Sequence, residues 1–380
     1  MNIALVATNM IQVSASAGKG TEIFVHSFAY ALKRRIDRDH LPFSVTSFAS
    51  GDSDLPDPIE SVREKSSADD PEVGMDYHKL FELALISKAF SMDDHFDLYH
   101  VHLSNGEFVL PFAAFTKKPI LITMHGGTVN AYNTAYFDLY ANAKNIHFVA
   151  ISDNQRDRMH NLPIIRTIHH GIEMENYPFH PDGGETIMWA GRGIPDKGLD
   201  VVMSVAEKTG IATAMYPILK SEHLEWLKKE ILSRRNAVRQ KAQLVMDFDV
   251  SREELAQKYQ QAKLFLFPIQ WEEPFGLVLA ESLASGTPIV AYAKGSVPEI
   301  VEDGVTGFLV NSCEEDKRGN YTITSCGIEG LLEAVQRIYS MPHDRYREMR
   351  RSCRDRAEKY FSIDRMVDDY LSVYQELGIR

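Results

Sequence analysis

Apolar residues in this chain come in two alternating patterns: short continuous runs, and longer stretches with apolar positions three and four apart. The opening run, Asn2-Ile3-Ala4-Leu5-Val6-Ala7, predicts a buried strand. A loop rich in small residues, Thr8 to Gly20, leads into a helix carrying Phe24, Val25, Phe28 and Leu32 at helical spacing. Strands are predicted next at Phe43 to Phe48, Asp97 to His102, Pro119 to Met124 and Ile146 to Ile151, with a helix around Tyr77 to Phe90. The acidic, proline-containing segment Gly51 to Gly74 reads as an exposed, mobile connection.

The pattern restarts after Gly183-Gly184, a predicted hinge. Thr186 to Ala190 opens a second series of strands, continued at Ala212 to Tyr216, Gln243 to Phe248, Leu264 to Phe267 and Ile289 to Ala293. A basic helix, Leu224 to Lys241, mixes Lys228, Lys229, Arg234, Arg235 and Arg239 with Glu225 and Glu230, which predicts a solvated face. The last helix puts Met366, Val367, Tyr370, Leu371 and Tyr374 on one stripe, so it must pack against another element. Strands alternating with helices in both halves predict an α/β protein with doubly wound, parallel sheets.

Bulk properties narrow the class. A length of 380 residues exceeds what one core fills, so two domains are expected. The net charge of −12 argues against nucleic acid as the main partner, and an anionic ligand would need local cations. Cys313, Cys326 and Cys353 are too widely spaced to suggest a disulfide framework or a zinc site. With no signal peptide and no apolar stretch of spanning length, a cytoplasmic protein with at most peripheral membrane contact is expected.

The chemistry concentrates in Pro268 to Glu281, PIQWEEPFGLVLAE. Pro268 ends an apolar strand, an acidic aromatic loop follows, and Gly276 opens a helical run that stops near Gly286 and Pro288. A helix start directly after a strand offers backbone N–H groups and a positive dipole end to an anion. Glu273 stands just before that helix, and Glu281 about one and a half turns into it. Arg192 and Lys197 follow another strand, and Pro195 keeps the loop between them from continuing as a helix, so both cations can be aimed at one diphosphate. Gly20 opens the first helix, where a phosphate could approach, although Gly18-Lys19-Gly20-Thr21 departs from the P-loop pattern. His125 precedes Gly126-Gly127 at the end of a strand, the edge at which such sheets bind ligands. His100 and His102 share one strand face, but no third ligand has the spacing to complete a metal site, and none is expected.

These pieces, in this order, resemble the retaining glycosyltransferases of the GT-B fold, most closely the large family 4 group. Glu273-Pro274-Phe275-Gly276 through Glu281 is similar to that family's E-x7-E element. The likeness extends to Ala190-Gly191-Arg192 with Lys197-Gly198-Leu199, to Gly295 through Val310, to His169-His170-Gly171-Ile172, and to Gly20-Thr21-Glu22, Asp97 to His102 and Thr123-Met124-His125-Gly126. It implies two Rossmann-like domains facing a central cleft. The acceptor-side domain would cover 1–175, with the final helix 363–380 crossing back to it, and the donor domain 184–362.

By the same resemblance, Arg192 and Lys197 hold the donor diphosphate and stabilise the departing nucleotide. Glu273 and His125 meet the transferred sugar, and Glu281 takes the ribose hydroxyls. Gly20 and the backbone around Phe275, Gly276 and Leu277 complete donor binding. The family usually has two adjacent glycines where this chain has Lys19-Gly20, so Lys19 is expected to add a phosphate or an acceptor contact, and His100 and His102 are expected on the acceptor side. The expected reaction moves a sugar from a nucleoside-diphosphate sugar to the hydroxyl of a saccharide, lipid-linked sugar or small molecule, with no cofactor. The alternatives are a glycosidase using Glu273 and Glu281 as acid and base, a nucleotide-sugar epimerase or phosphorylase, or a catalytically silent nucleotide-sugar-binding protein. The donor base, the acceptor and the oligomeric state stay open.

Overall fold

A computed structural model describes the chain apart from residues 104–105, 127–130, 160 and 379–380, so Gly127 and the end of the last predicted helix lie outside the described residues. The chain divides into two compact units, Met1–Gly171 with Ile363–Arg380, and Ile172–Ser362. Among the described residues no helix is long and apolar enough to cross a membrane.

Unit 1 is built on a seven-stranded sheet in the order β3-β2-β1-β4-β5-β6-β7. Its strands are β1 (Asn2–Val6), β2 (Ser44–Phe48), β3 (Ile59–Glu60), β4 (Leu98–Val101), β5 (Ile120–Met124), β6 (Ile146–Ala150) and β7 (Ile164–Thr167), all paired in parallel. The central strands β1, β4, β5 and β6 are mostly apolar because both of their faces are buried. Ile3 and Leu5 pack with Phe24, Val25, Phe28 and Leu32 of helix Gly20–Asp39 and with Met366, Tyr370 and Tyr374 of helix Ile363–Gly378. Ala4 and Val6 face the other way, into the core made with Leu85, Ile86 and Ala89 of helix Met75–Ser91.

The segment Gly51 to Gly74 differs from its prediction. It supplies β3, and Ser66 and Ser67 have no exposed surface. Asp54, Glu64, Asp69 and Glu72 are exposed as expected, but Asp52 serves the chain and accepts the backbone N–H of Ser66 at 3.0 Å. The Ser67 N–H in turn donates to the Asn9 carbonyl at 2.9 Å, tying the segment to the loop after β1.

Unit 2 has a six-stranded parallel sheet in the order β10-β9-β8-β11-β12-β13. The strands are β8 (Thr186–Arg192), β9 (Thr213–Ile218), β10 (Leu244–Met246), β11 (Ala262–Phe267), β12 (Ile289–Tyr292) and β13 (Gly307–Val310). The predicted basic helix is broken, with a π-helical turn at Leu227–Ile231 and a 3-10 turn at Leu232–Arg234. Its cations pair outward, Arg234 and Lys241 both with Glu207, at 3.4 and 2.9 Å.

Gly183-Gly184, the predicted hinge, lies inside unit 2 and serves close packing. A Cβ on Gly184 would sit 2.0 Å from the Gln261 carbonyl, and one on Gly183 would sit 2.5 Å from Arg350 Nη1. Arg350 is fully buried and donates to the carbonyls of His180, Ala262, Gln260 and Ser285, and to the Tyr346 hydroxyl. It thus ties helix His343–Phe361 to the segment before β8, to the start of β11 and to the end of helix Leu277–Ala284.

Candidate active site

In unit 2 the chain runs outward from β8 to β9 and β10 on one side, and from β11 to β12 and β13 on the other. The connections leaving β8 and β11 therefore lead to opposite halves of the sheet, the switch point at which sheets of this class bind ligands. The first loop carries Arg192 and Lys197, and the second carries Pro268 to Gly276. Glycines seat both loops at close approaches of the backbone. Gly198 holds φ at +70°, and a Cβ there would lie 2.1 Å from the Pro268 carbonyl. The Gln270 N–H donates across the seam to the Asp196 carbonyl at 2.8 Å.

A third loop, after β12, presses on the second from behind. Gly295 holds φ at +59°, and a Cβ there would lie 2.2 Å from the Glu273 carbonyl oxygen and 2.3 Å from its nitrogen. Ser296 donates its N–H to the Glu273 carbonyl at 2.9 Å and its hydroxyl to the Phe275 carbonyl at 2.7 Å. Glu272 accepts the Gly295 N–H at 2.8 Å and the Arg318 guanidinium at 2.8 Å.

Within this frame Lys197 and Glu273, which lie far apart in sequence, form an ion pair. The Lys197 backbone carbonyl is fixed by Trp189 Nε1 at 3.1 Å, and Trp271 Nε1 reaches Glu273 Oε2 at 3.0 Å. Arg192 ends β8 exposed, with no ion-pair partner among the described residues. Phe275 is buried with its ring 5.9 Å from that of Phe361. Gly276, at φ +84°, precedes helix Leu277–Ala284 and brings no side chain to cap it; the Leu279 N–H turns back to the Gly276 carbonyl at 2.9 Å.

Glu281 is drawn into a different cluster. It is 5% exposed and ion-paired with Arg252, and it accepts the Tyr259 hydroxyl at 3.4 Å. Arg252 Nη2 also lies 3.3 Å from the Tyr177 hydroxyl. Burial is the largest single influence on Arg252 and opposes its charge, but the Glu281 carboxylate, Tyr177 and Tyr259 together outweigh it and raise the guanidinium's pKa. Burial and the same carboxylate push the Tyr259 phenol well up. Arg252 has a sequence signal only in retrospect: it opens a helix behind a Ser251/Glu254 capping box.

In unit 1, Lys19 caps the start of helix Gly20–Asp39 in extended conformation, and Gly20 is its first residue; both are exposed. His100, expected on the acceptor side, is instead a core residue. Its Nδ1 meets the Tyr374 hydroxyl at 2.6 Å and its Nε2 the Thr123 hydroxyl at 2.9 Å, which leaves it no group for a ligand. His102 is placed differently: its Nδ1 lies 3.0 Å from His125 Nε2. The His102, His125 and His170 rings gather around Phe24 at centroid distances of 5.4, 4.9 and 4.3 Å. Burial lowers the pKa of all four histidines, that of His125 to about 3, so each is neutral near pH 7.

Sequence reasoning also passed over Glu82, buried on helix Met75–Ser91. It accepts the Thr8 hydroxyl and the N–H groups of Asn9 and Met10 at 3.1 and 2.9 Å, fixing the loop after β1, and burial raises its pKa. Among the described residues no group of His, Cys, Asp and Glu is arranged to hold a metal ion.

Comparisons with known proteins bear on the family and the fold. Residues 173–320, which carry every unit 2 site residue, match the family model of the glycosyl transferases group 1. An uncharacterized 41.2 kDa protein in the cps region of Klebsiella pneumoniae is 27% identical over 190 residues, 50% of this chain and 46% of that protein. The chain thus matches less than half the length of the curated relatives it resembles first. Sucrose-phosphate synthase from Thermosynechococcus elongatus superposes with a TM-score of 0.75 at 18% identity, over 99% of each chain. Anabaena HepE in complex with UDP and glucose does so at 0.72 and 14% identity, over 99% of this chain and 100% of that one. The chain has the two-domain GT-B fold, and its second unit carries a glycosyl transferases group 1 domain.

Proposed function

We propose that the protein is a retaining glycosyltransferase that moves a sugar from a nucleoside-diphosphate sugar to an acceptor hydroxyl. The observation that carries this reading is the convergence of Lys197 and Glu273 between β8 and β11, beside a helix start with no side-chain cap and Arg192, which has no ion-pair partner among the described residues. A diphosphate there would meet two cations and backbone N–H groups, which supply locally what the acidic chain lacks overall.

As the bond to the leaving diphosphate lengthens, negative charge grows on its oxygens. Arg192, Lys197 and the start of helix Leu277–Ala284 stabilise that charge more than they stabilise the intact donor, and this electrostatic term lowers the barrier. Glu273 receives the transferred sugar, and Glu281, steadied by Arg252, takes the ribose hydroxyls. A glycosidase would leave Arg192 and Lys197 without a task, whereas here Lys197 is held against the key carboxylate. The UDP bound by the Anabaena neighbour makes uridine the first base to try.

The test is calorimetry with UDP, GDP and ADP, followed by their sugars. One nucleotide should bind, and at 100 times its Kd it should stabilise the protein by about 2.7 kcal/mol. If none binds, the reading is lost.

A further inference from the structure

The indole of Trp271 has no role in the reading above, yet it touches both of that reading's central side chains. Its Nε1 donates to Glu273 Oε2 at 3.0 Å, the same oxygen that takes the Lys197 ammonium. Lys197 Nζ also lies 5.0 Å from the centre of the Trp271 ring and 5.9 Å from that of Phe267. Glu273 is only 8% exposed, and no side chain among the described residues holds its Oε1. The Lys197 backbone is pinned through Trp189, so the lysine side chain can swing without moving its loop.

We propose that Trp271 is a positioning residue: its indole N–H keeps Glu273 Oε2 paired when a nucleoside diphosphate draws Lys197 away, leaving Oε1 for the ligand. The inference rests on the nucleotide-sugar reading and deepens it. A carboxylate this buried cannot lose its cation without cost unless another donor stays behind, because an unsatisfied buried charge is strongly unfavourable. Without the indole N–H, that cost would be subtracted from the binding of every diphosphate. With it, Lys197 is shared between Glu273 and the ligand while Glu273 holds its place. The ring face offers the ammonium a second favourable surface during the exchange.

Trp271→Phe tests this, since it keeps an aromatic ring near Lys197 and removes the donor. UDP affinity is measured by calorimetry for the wild type, Trp271→Phe, Glu273→Ala and the double variant, with GDP and ADP substituted if the wild type prefers them. Trp271→Phe should weaken nucleotide binding about tenfold or more, the effect of a hydrogen bond to a charged group. In the Glu273→Ala background it should have no further effect, because no carboxylate is left to satisfy. A loop that Trp271 merely props up would weaken binding in both backgrounds, and that result overturns the proposal. Equal affinity of wild type and Trp271→Phe overturns it too, while leaving the nucleotide reading intact. If the wild type binds no nucleoside diphosphate, the functional reading fails and the role of Trp271 falls with it.

Discussion

Replacing Gly295 by alanine should unseat Glu273. The added Cβ would stand 2.2 Å from the Glu273 carbonyl oxygen and 2.3 Å from its nitrogen. Non-bonded carbon contacts settle at about 3.5–4 Å, so the backbone must yield by roughly 1 Å or more. Both partners are main chain, and no flexible side chain can move aside. Alanine would also have to hold a φ of +59°, at about 1–2 kcal/mol. Moving the Glu273 backbone breaks the Ser296 hydrogen bond and shifts the carboxylate away from Lys197 and Trp271. A misplacement of about 1 Å at a reacting centre costs on the order of 100-fold in rate. Two companion variants separate the causes. Gly304→Ala carries the same positive-φ penalty (φ +78°), but its nearest neighbour is the Thr322 hydroxyl at 3.3 Å, so it should lower stability and leave UDP affinity unchanged. Gly18→Ala has nothing within 4 Å and should be silent in a thermal melt. Melts, UDP calorimetry and sugar transfer on the three variants give the answer. A Gly295→Ala protein that binds and turns over like Gly304→Ala would refute the claim that the seam with the β12 loop positions Glu273.

Other outcomes follow from the same contacts. Arg350→Met should leave the carbonyls of His180, Ala262, Gln260 and Ser285 short of a donor, at about 1–3 kcal/mol each. A loss of at least about 4 kcal/mol is expected in a denaturant melt of unit 2, and a loss under 1 kcal/mol would contradict the accounting. Lys197→Ala should weaken UDP by about 10-fold or more, through a lost charge-assisted hydrogen bond, and unchanged calorimetric affinity would remove it from the phosphate site. The buried histidines predict acid lability of unit 1. A base whose native pKa is depressed gives full stability above its unfolded value of about 6.5, and loses it as pH falls toward the native value, about 3 for His125. Glu22, Glu82 and Asp57, whose carboxyls are raised by burial, pull the other way, so the informative quantity is a difference. From pH 7.5 to 5.5, His170→Asn should lose about 1.4 kcal/mol less stability than the wild type, and parallel pH profiles would refute it.

The fold was legible because its signals are local. Strands buried on both faces must be apolar throughout, and the helix stripes of Phe24 to Leu32 and Met366 to Tyr374 announce their packing. Lys197, Glu273 and Gly276 were legible because loop chemistry at the end of a strand is compact in sequence. Contacts set by tertiary register were not. Arg350 stands in Met349-Arg350-Arg351-Ser352-Cys353-Arg354, a stretch that reads as a charged helix surface, and nothing in its neighbours shows that it faces inward onto carbonyls. Arg252 opens a polar helix and looks solvated, yet it meets Glu281 because helices 252–260 and 277–284 lie side by side on the sheet. The acidic run Gly51 to Gly74 misled for a related reason. Carboxylates that satisfy backbone N–H groups have the same composition as carboxylates in water, and only the fold distinguishes them.

Both units order their strands alike around a central switch point, so the fold alone gives no reason for their ends to differ in chemistry. Side chains make the difference. Unit 2 places an exposed arginine, a paired lysine and a helix start with no side-chain cap at its switch point, all suited to an anion. Unit 1 places His102 and His125 after β4 and β5, and burial keeps both uncharged. A neutral imidazole donates through one nitrogen and accepts through the other, and these two rings spend one nitrogen each on one another. His102 Nε2 and His125 Nδ1 remain buried with no hydrogen-bond partner among the described residues. Such a pair answers a hydroxyl, which can donate and accept, better than a phosphate, which at neutral pH mainly accepts and brings charge that neutral rings do not offset. In the proposed reaction the diphosphate therefore belongs to the cations of unit 2, whereas the imidazoles of unit 1 suit an uncharged hydroxyl.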